Sequence, residues 1–226
     1  MVDCQWAVLA QASGEVGMDY FKILVWPGGG YIGMILWALS IVTLAVIIQY
    51  FISIRRANII PELVQQQVQG LFDNKQYREA IEVTATEPSM LSFVVHAGLA
   101  EAARGYTSME RAMEEAAEEK TTILLRKIEW LNLIGNISPM LGLLGTVWGM
   151  INAFMKIVEK GGMPSPADLA GSIGIALVTT LLGLAVAIPS LSVYAMMRNR
   201  IDALSNEAMV SAEELVAVFR PGAKGA

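Results

Sequence analysis

The sequence has one cysteine and one histidine, and that scarcity excludes a good deal. Cys4 has no second thiol to pair with, so no intrachain disulfide forms, and with His96 alone there is no Cys/His set of metal-ligand spacing. Redox and metal chemistry are therefore not expected, and no cofactor is. A basic surface is missing too: 16 Lys and Arg stand against 21 Asp and Glu, a net charge of -5, and nothing resembles a nucleic-acid interface. The glycine run Gly28, Gly29, Gly30 lacks the Lys-Ser/Thr continuation of a phosphate loop and reads as a hinge at a membrane surface. Most telling is the absence of charge over three long stretches, residues 23–54, 130–155 and 169–197.

Each stretch exceeds the roughly 20 apolar residues that a helix needs to cross about 30 Å of hydrocarbon, whereas a buried helix in a soluble core seldom stays uncharged beyond about 14. Composition agrees, with 54% hydrophobic residues and a mean hydropathy of +0.50. The expectation is an all-α integral membrane protein with three transmembrane helices and an elongated helical cytoplasmic domain. Trp26, Pro27 and the glycine run suit an interfacial entry, so the first span starts near Tyr31. Arg55 and Arg56 close that span, Arg126 and Lys127 open the second, and Arg198 and Arg200 close the third. All three basic ends should be cytoplasmic, which leaves the N-terminus periplasmic and the C-terminus cytoplasmic.

The expected layout is a periplasmic segment 1–30, span 31–54, cytoplasmic helical domain 55–129, span 130–155, periplasmic hairpin 156–168, span 169–197 and a cytoplasmic C-terminal helix and tail 198–226. Ala10, Gln11 and Ala12 resemble a small-residue cleavage site, but what precedes them has no positive charge and too short an apolar core to read as a signal peptide.

Between the first two spans, breakers divide a helical pattern. Pro61 suits a first turn, Leu63, Val64, Val68, Leu71 and Phe72 share a face, and Asp73-Asn74 interrupts. A second helix should cover 75–86, stopped by Glu87-Pro88, and a third 89–104, stopped by Gly105. Thr107 with Glu110 forms a capping-box pattern that would start a fourth, and nothing outside the apolar part breaks it until about Phe154. Its first turns interleave Met109, Ala112, Met113, Ala116 and Ala117 with Glu110, Glu114, Glu115, Glu118 and Glu119. Those carboxylates are either a solvated face or, in an oligomer, a ring at a pore mouth. His96 sits among apolar residues and reads as a satisfied core histidine.

Spans two and three carry small, polar faces. In span two Gly142, Gly145, Thr146, Gly149 and Asn152 recur at three- and four-residue steps, and Gly145-x-x-x-Gly149 permits close backbone approach. Pro139 frees the carbonyl of Gly135. Span three repeats the design with Ser172, Ala176 and Thr180, a flanking row of Thr179, Gly183 and Ala187, and Pro189 near its end. Such faces must meet protein. Intramembrane Thr often bonds only its own preceding turn, so a packing role and a polar lining both remain open. No Asp, Glu, Lys, Arg or His lies in any charge-free run, although proton relays usually keep such a group at membrane depth. Either nothing is conducted, or a carboxylate arrives from a partner helix.

The run SPMLGLLGTVWGMI at residues 138–151 and the run ALVTTLLGLAVAIP at 176–189 resemble the second- and third-helix signatures of the ExbB/TolQ/MotA proton-channel family. The order of elements is most similar to ExbB and TolQ, because MotA has four spans. The resemblance implies a non-enzymatic homopentamer in the bacterial inner membrane, built around two copies of a single-pass partner similar to ExbD or TolR. That partner's membrane Asp exchanges protons against Thr residues, for which Thr146 and Thr180 are the matching positions, and the cycle delivers force to a TonB- or TolA-like recipient. One departure is Ile175, where relatives often carry Glu. A membrane scaffold that only holds partner helices together is the alternative.

Overall fold

The computed structural model describes residues 30–163 and 165–220, and the secondary structure of those residues is helical with no strand among them. The N-terminal segment, the Ala10–Ala12 motif, the Trp26 entry and the last six residues lie outside the described residues. In chain order the helices are α1 (Gly30–Ser53), α2 (Arg56–Ile59), α3 (Glu62–Asp73), α4 (Tyr77–Thr86), α5 (Met90–Ala100), α6 (Tyr106–Glu159) and α7 (Pro166–Val216). Three of them, α1, α6 and α7, are long and apolar enough to cross a membrane. The chain forms two compact units. One takes residues up to Val46 with Leu131–Ser192; the other takes Ile47–Trp130 with Val193 onward.

In the first, membrane unit, apolar side chains point outward, as lipid as solvent requires. Ile41, Leu44, Met140, Leu143, Phe154, Leu177 and Ile188 are all exposed, whereas the buried positions of α1 are Gly33, Leu36 and Thr43, one helix face. Thr43 is satisfied locally by donating to Leu39 O at 2.8 Å.

The second, helical unit has a conventional core. Val64, Val68 and Phe72 form the buried stripe of α3, and Met109, Met113, Met197 and Ile201 are buried in the same core. Leu63, expected on that stripe, is 81% exposed, because it is set about 100° from the 64/68/72 row on a 3.6-residue helix. The end of α3 is closed by Lys75 in the left-handed region (φ 59), with Gln76 N donating to Leu71 O and Asn74 Nδ2 to Gly70 O, both 2.9 Å. This turn moves the start of α4 to Tyr77 from the expected 75. Ser89 caps α5 by accepting from Ser92 N at 3.1 Å. That helix stops at Ala100, short of the expected 104, and continues as the 3₁₀ turn Ala102–Arg104.

The capping box at Thr107 is not used. Gly105, at φ 103, swings the chain so that α6 is already helical at Tyr106, and the Gly105 carbonyl accepts from Ser108 N (3.1 Å) and Met109 N (3.2 Å). The short α2 had no sequence signal. Its Arg56 donates to Glu207 (2.8 Å) and Glu62 (2.9 Å), and the Glu207 hydrogen bond foremost holds the guanidinium above its usual pKa. After α7, the 3₁₀ turn Ala217–Phe219 places the Phe219 ring 5.8 Å from Phe72 and 5.0 Å from Tyr77. His96 is half-buried with Nδ1 3.3 Å from Thr84 Oγ1.

Candidate functional site: the small-residue face of the membrane unit

Both prolines lie inside continuous helices: Pro139 within α6 and Pro189 within α7. Around them the hydroxyls are committed to backbone. Ser138 Oγ donates to Ile134 O at 2.6 Å in its own helix, and the fully buried Ser190 crosses from α7 to Leu131 O at 2.7 Å. In a medium without water such bonds satisfy hydroxyl donors that would otherwise be orphaned.

From there the two helices run antiparallel, and the glycines set how close they come. A Cβ on Gly135 would meet Leu191 Cγ at 2.6 Å, one on Gly183 would meet Ser138 O at 2.6 Å, and one on Gly142 would meet Thr180 Cα at 3.1 Å. Farther along, a Cβ on Gly145 would run into the Thr179 side chain, and one on Gly149 would meet Ala176 Cβ at 2.7 Å and Ser172 O at 3.1 Å. Gly142, Gly145, Gly149 and Gly183 thus share one interface, at a spacing only glycine allows. Ala176 and Ser172, buried to 3% and 4% exposure, complete the α7 side. The two small faces meet each other within one chain.

Of the expected lining residues, Thr180 joins this interface. It is half-buried, and its Oγ1 donates across to Gly142 O at 3.3 Å, with Ala176 O at 3.5 Å as second acceptor. Thr146 is half-buried one step from Gly145 and donates to Leu143 O at 2.7 Å in its own helix. Thr179, read from sequence only as part of a flanking row, is fully buried; its side chain fills the notch at Gly145 and donates to Ala176 O at 2.7 Å. The adjacent TT pair was the signal: two neighbouring threonines point about 100° apart on a helix, so one faces the partner helix squarely and the other its edge.

Ile175 is 40% exposed and lines a cleft of 260 Å³ with Gly149, Asn152, Ser172, Lys156 and Glu159. Among the described residues, the carboxylate lining that cleft is Glu159 of α6, not one at position 175. Beyond Glu159 the chain turns through Gly161 (φ 64) and Gly162 (φ 88), whose amides donate to Val158 O and Ile157 O, before α7 begins.

In the helical unit the acidic start of α6 divides cleanly. Met109, Met113, Ala116 and Ala117 are buried, while Glu114, Glu115, Glu118 and Glu119 are exposed, with Arg111 on Glu115 at 3.0 Å. Within a single chain this is a solvated face. No group of three or more metal-ligating side chains occurs among the described residues.

Residues 57–209 match the MotA/TolQ/ExbB proton channel family. Among curated relatives, the biopolymer transport protein ExbB of Xanthomonas campestris pv. campestris is 36% identical over 97 residues, which cover 43% of this chain and 38% of that protein. The biopolymer transport protein exbB1 of Vibrio cholerae is 47% identical over 62 residues, 27% of either chain. The Tol-Pal system protein TolQ of Haemophilus influenzae is 33% identical over 98 residues, 43% of this chain and 42% of its own. The matched segments therefore span less than half the length of these relatives. The family match covers well over half of this chain and includes the α6–α7 glycine interface, and the chain belongs to the MotA/TolQ/ExbB proton channel family.

Proposed function

We propose that this chain is the stator-like, proton-conducting subunit of an inner-membrane motor that couples the proton motive force to work toward the outer membrane. Five copies surround two copies of a single-pass, ExbD- or TolR-like helix that supplies the titrating Asp. The basic ends of the spans face the cytoplasm, and a TonB- or TolA-like protein receives the force.

The observation that carries this reading is the state of the two threonines in spans that hold no Asp, Glu, Lys, Arg or His. Each hydroxyl donates to a backbone carbonyl, Thr146 to Leu143 and Thr180 to Gly142. Each keeps oxygen lone pairs that can accept from a protonated carboxyl. An ionised carboxylate needs a donor instead, so the hydroxyl must leave its carbonyl and rotate. Thr180 is the readier of the two, since its bond at 3.3 Å is long for an O–H···O contact. The exchange makes the threonine a two-position relay element that never itself titrates.

The test is proton flux into liposomes carrying the chain with its co-expressed single-pass partner. Thr146→Val and Thr180→Val preserve shape and remove the hydroxyl, and each should abolish most of the flux while native mass spectrometry still shows the intact assembly. Full flux in both variants refutes the lining role. The scaffold reading has an observation on its side, namely that both hydroxyls are already bonded within the chain. It gains if the assembly forms and no variant or wild-type chain conducts.

A further inference from the structure

A small pocket of 220 Å³ opens in the helical unit where α1 ends. It is lined by Ser53 at the end of the span and Asn58 beyond it, by Ile59, Pro88 and Met90, and by Lys120, Ile123, Leu124 and Lys127 of α6. No carboxylate lines it, and neither Lys120 nor Lys127 is ion-paired among the described residues. Lys120 Nζ is held 4.2 Å from the centre of the Phe93 ring, which fixes the ammonium without neutralising it. Asn58 is engaged elsewhere, donating to Ile52 O and Ser53 O at 3.2 Å, so the two ammonium groups and the Ser53 hydroxyl are the polar groups left for a ligand.

The level of this pocket follows from the chain itself. Ser53 is the last residue of the first span, and Lys127 lies three residues before the charge-free run that begins at Trp130. Tyr50 OH donates to Lys127 O, which ties the end of α1 to that point of α6. Two unpaired lysines therefore sit where hydrocarbon gives way to water, over apolar walls and below the exposed Phe51 and Ile52 of α1. A soluble anion would have no use for those walls. A lipid has: headgroup in the pocket, acyl chains along α1.

We propose that this pocket is a binding site for the phosphate headgroup of an anionic phospholipid, with Lys120 and Lys127 as its cationic ligands. The volume accommodates a phosphoglycerol headgroup and leaves the acyl chains outside, and basic pockets between spans at this level suit anionic headgroups. The site holds whether or not the chain conducts protons.

The experiment is native mass spectrometry of the delipidated, detergent-purified assembly, titrated separately with phosphatidylglycerol, phosphatidylcholine and inorganic phosphate. Phosphatidylglycerol should bind at least about tenfold more tightly than phosphatidylcholine, and Lys120→Gln with Lys127→Gln should remove that preference, as expected for two interfacial cations. Lys120→Arg with Lys127→Arg should retain it, which separates lost charge from misfolding. Equal binding of the two lipids, or an unchanged preference in the double Gln variant, overturns the proposal. Competition by millimolar inorganic phosphate overturns the lipid assignment in favour of a soluble phosphate ligand.

Discussion

Gly183→Ala should loosen the α6–α7 interface by an amount that the backbone geometry sets. The new methyl would stand 2.6 Å from Ser138 O and 3.1 Å from Gly142 Cα. Both are backbone atoms, so no side chain can swing away. Ordinary van der Waals contact begins near 3.4 Å, so the helices must part by roughly 0.8 Å, an overpacking cost of about 1–3 kcal/mol. The same movement carries Thr180 Oγ1 from 3.3 Å to roughly 4 Å from Gly142 O, beyond hydrogen-bonding reach, which adds about 0.6 kcal/mol for an average bond between membrane helices. Set against the up to about 1 kcal/mol that Ala gains over Gly inside a helix, the expected net loss is about 1–3 kcal/mol in reversible unfolding by denaturing detergent. A thermodynamic cycle sharpens it: Thr180→Val should cost about 0.6 kcal/mol in the wild-type background and close to nothing beside Gly183→Ala, because the bond is already broken. Gly174→Ala is the control, since nothing lies within 4 Å of its would-be Cβ. That change should be neutral, or stabilising by up to about 1 kcal/mol through helix propensity. A Gly183→Ala variant within about 0.5 kcal/mol of wild type would refute the close-packed reading, as cost on that scale is typical of surface changes.

Other outcomes follow from single contacts. Ser190→Ala removes the bond to Leu131 O at 2.7 Å from a fully buried site and should cost about 1 kcal/mol in the same assay; a neutral result would mean that this interhelical bond adds no net stability. Phe219→Ala deletes both ring contacts of the C-terminal turn and should cost about 1–2 kcal/mol, with faster proteolysis after Val216; unchanged proteolysis would argue that the turn is held otherwise. Arg56→Gln removes an exposed bridge between Glu62 and Glu207, so its destabilisation should be slight at low salt and vanish near 1 M, where the Debye length is about 3 Å; a salt-independent loss would point to packing instead.

Breakers were the most legible part of the sequence. Asp73-Asn74 and Glu87-Pro88 each end a helix, and Gly105 ends the 3₁₀ turn after α5, because their backbone preferences are local and need no partner. The capping box at Thr107 failed for the complementary reason: Gly105 at positive φ offered an earlier start, and a motif cannot report on a competitor two residues upstream. Leu63 was misplaced because an apolar residue at the edge of a stripe is assigned to core or solvent by its neighbours, not by its own identity. The small faces of spans two and three were plain in the sequence, but their partner was not. Glycine spacing says that a backbone comes close, and leaves open whose backbone; here it is the other arm of the same hairpin. For the same reason the sequence singled out Thr146 and Thr180 but not the buried Thr179.

The Gly161–Gly162 turn bears on how the chain enters a bilayer. Only six residues separate Glu159 from Pro166, and the arms they join carry complementary notches and hydroxyls. An isolated second span would present Ser138, Thr146, Asn152 and a ridge of bare glycine backbone to lipid. Delivered together with the third, it emerges from the insertion machinery already lined with its partner. The two spans are therefore expected to insert as a pair, and a chain truncated before α7 should accumulate in the membrane to a lower level than the full chain.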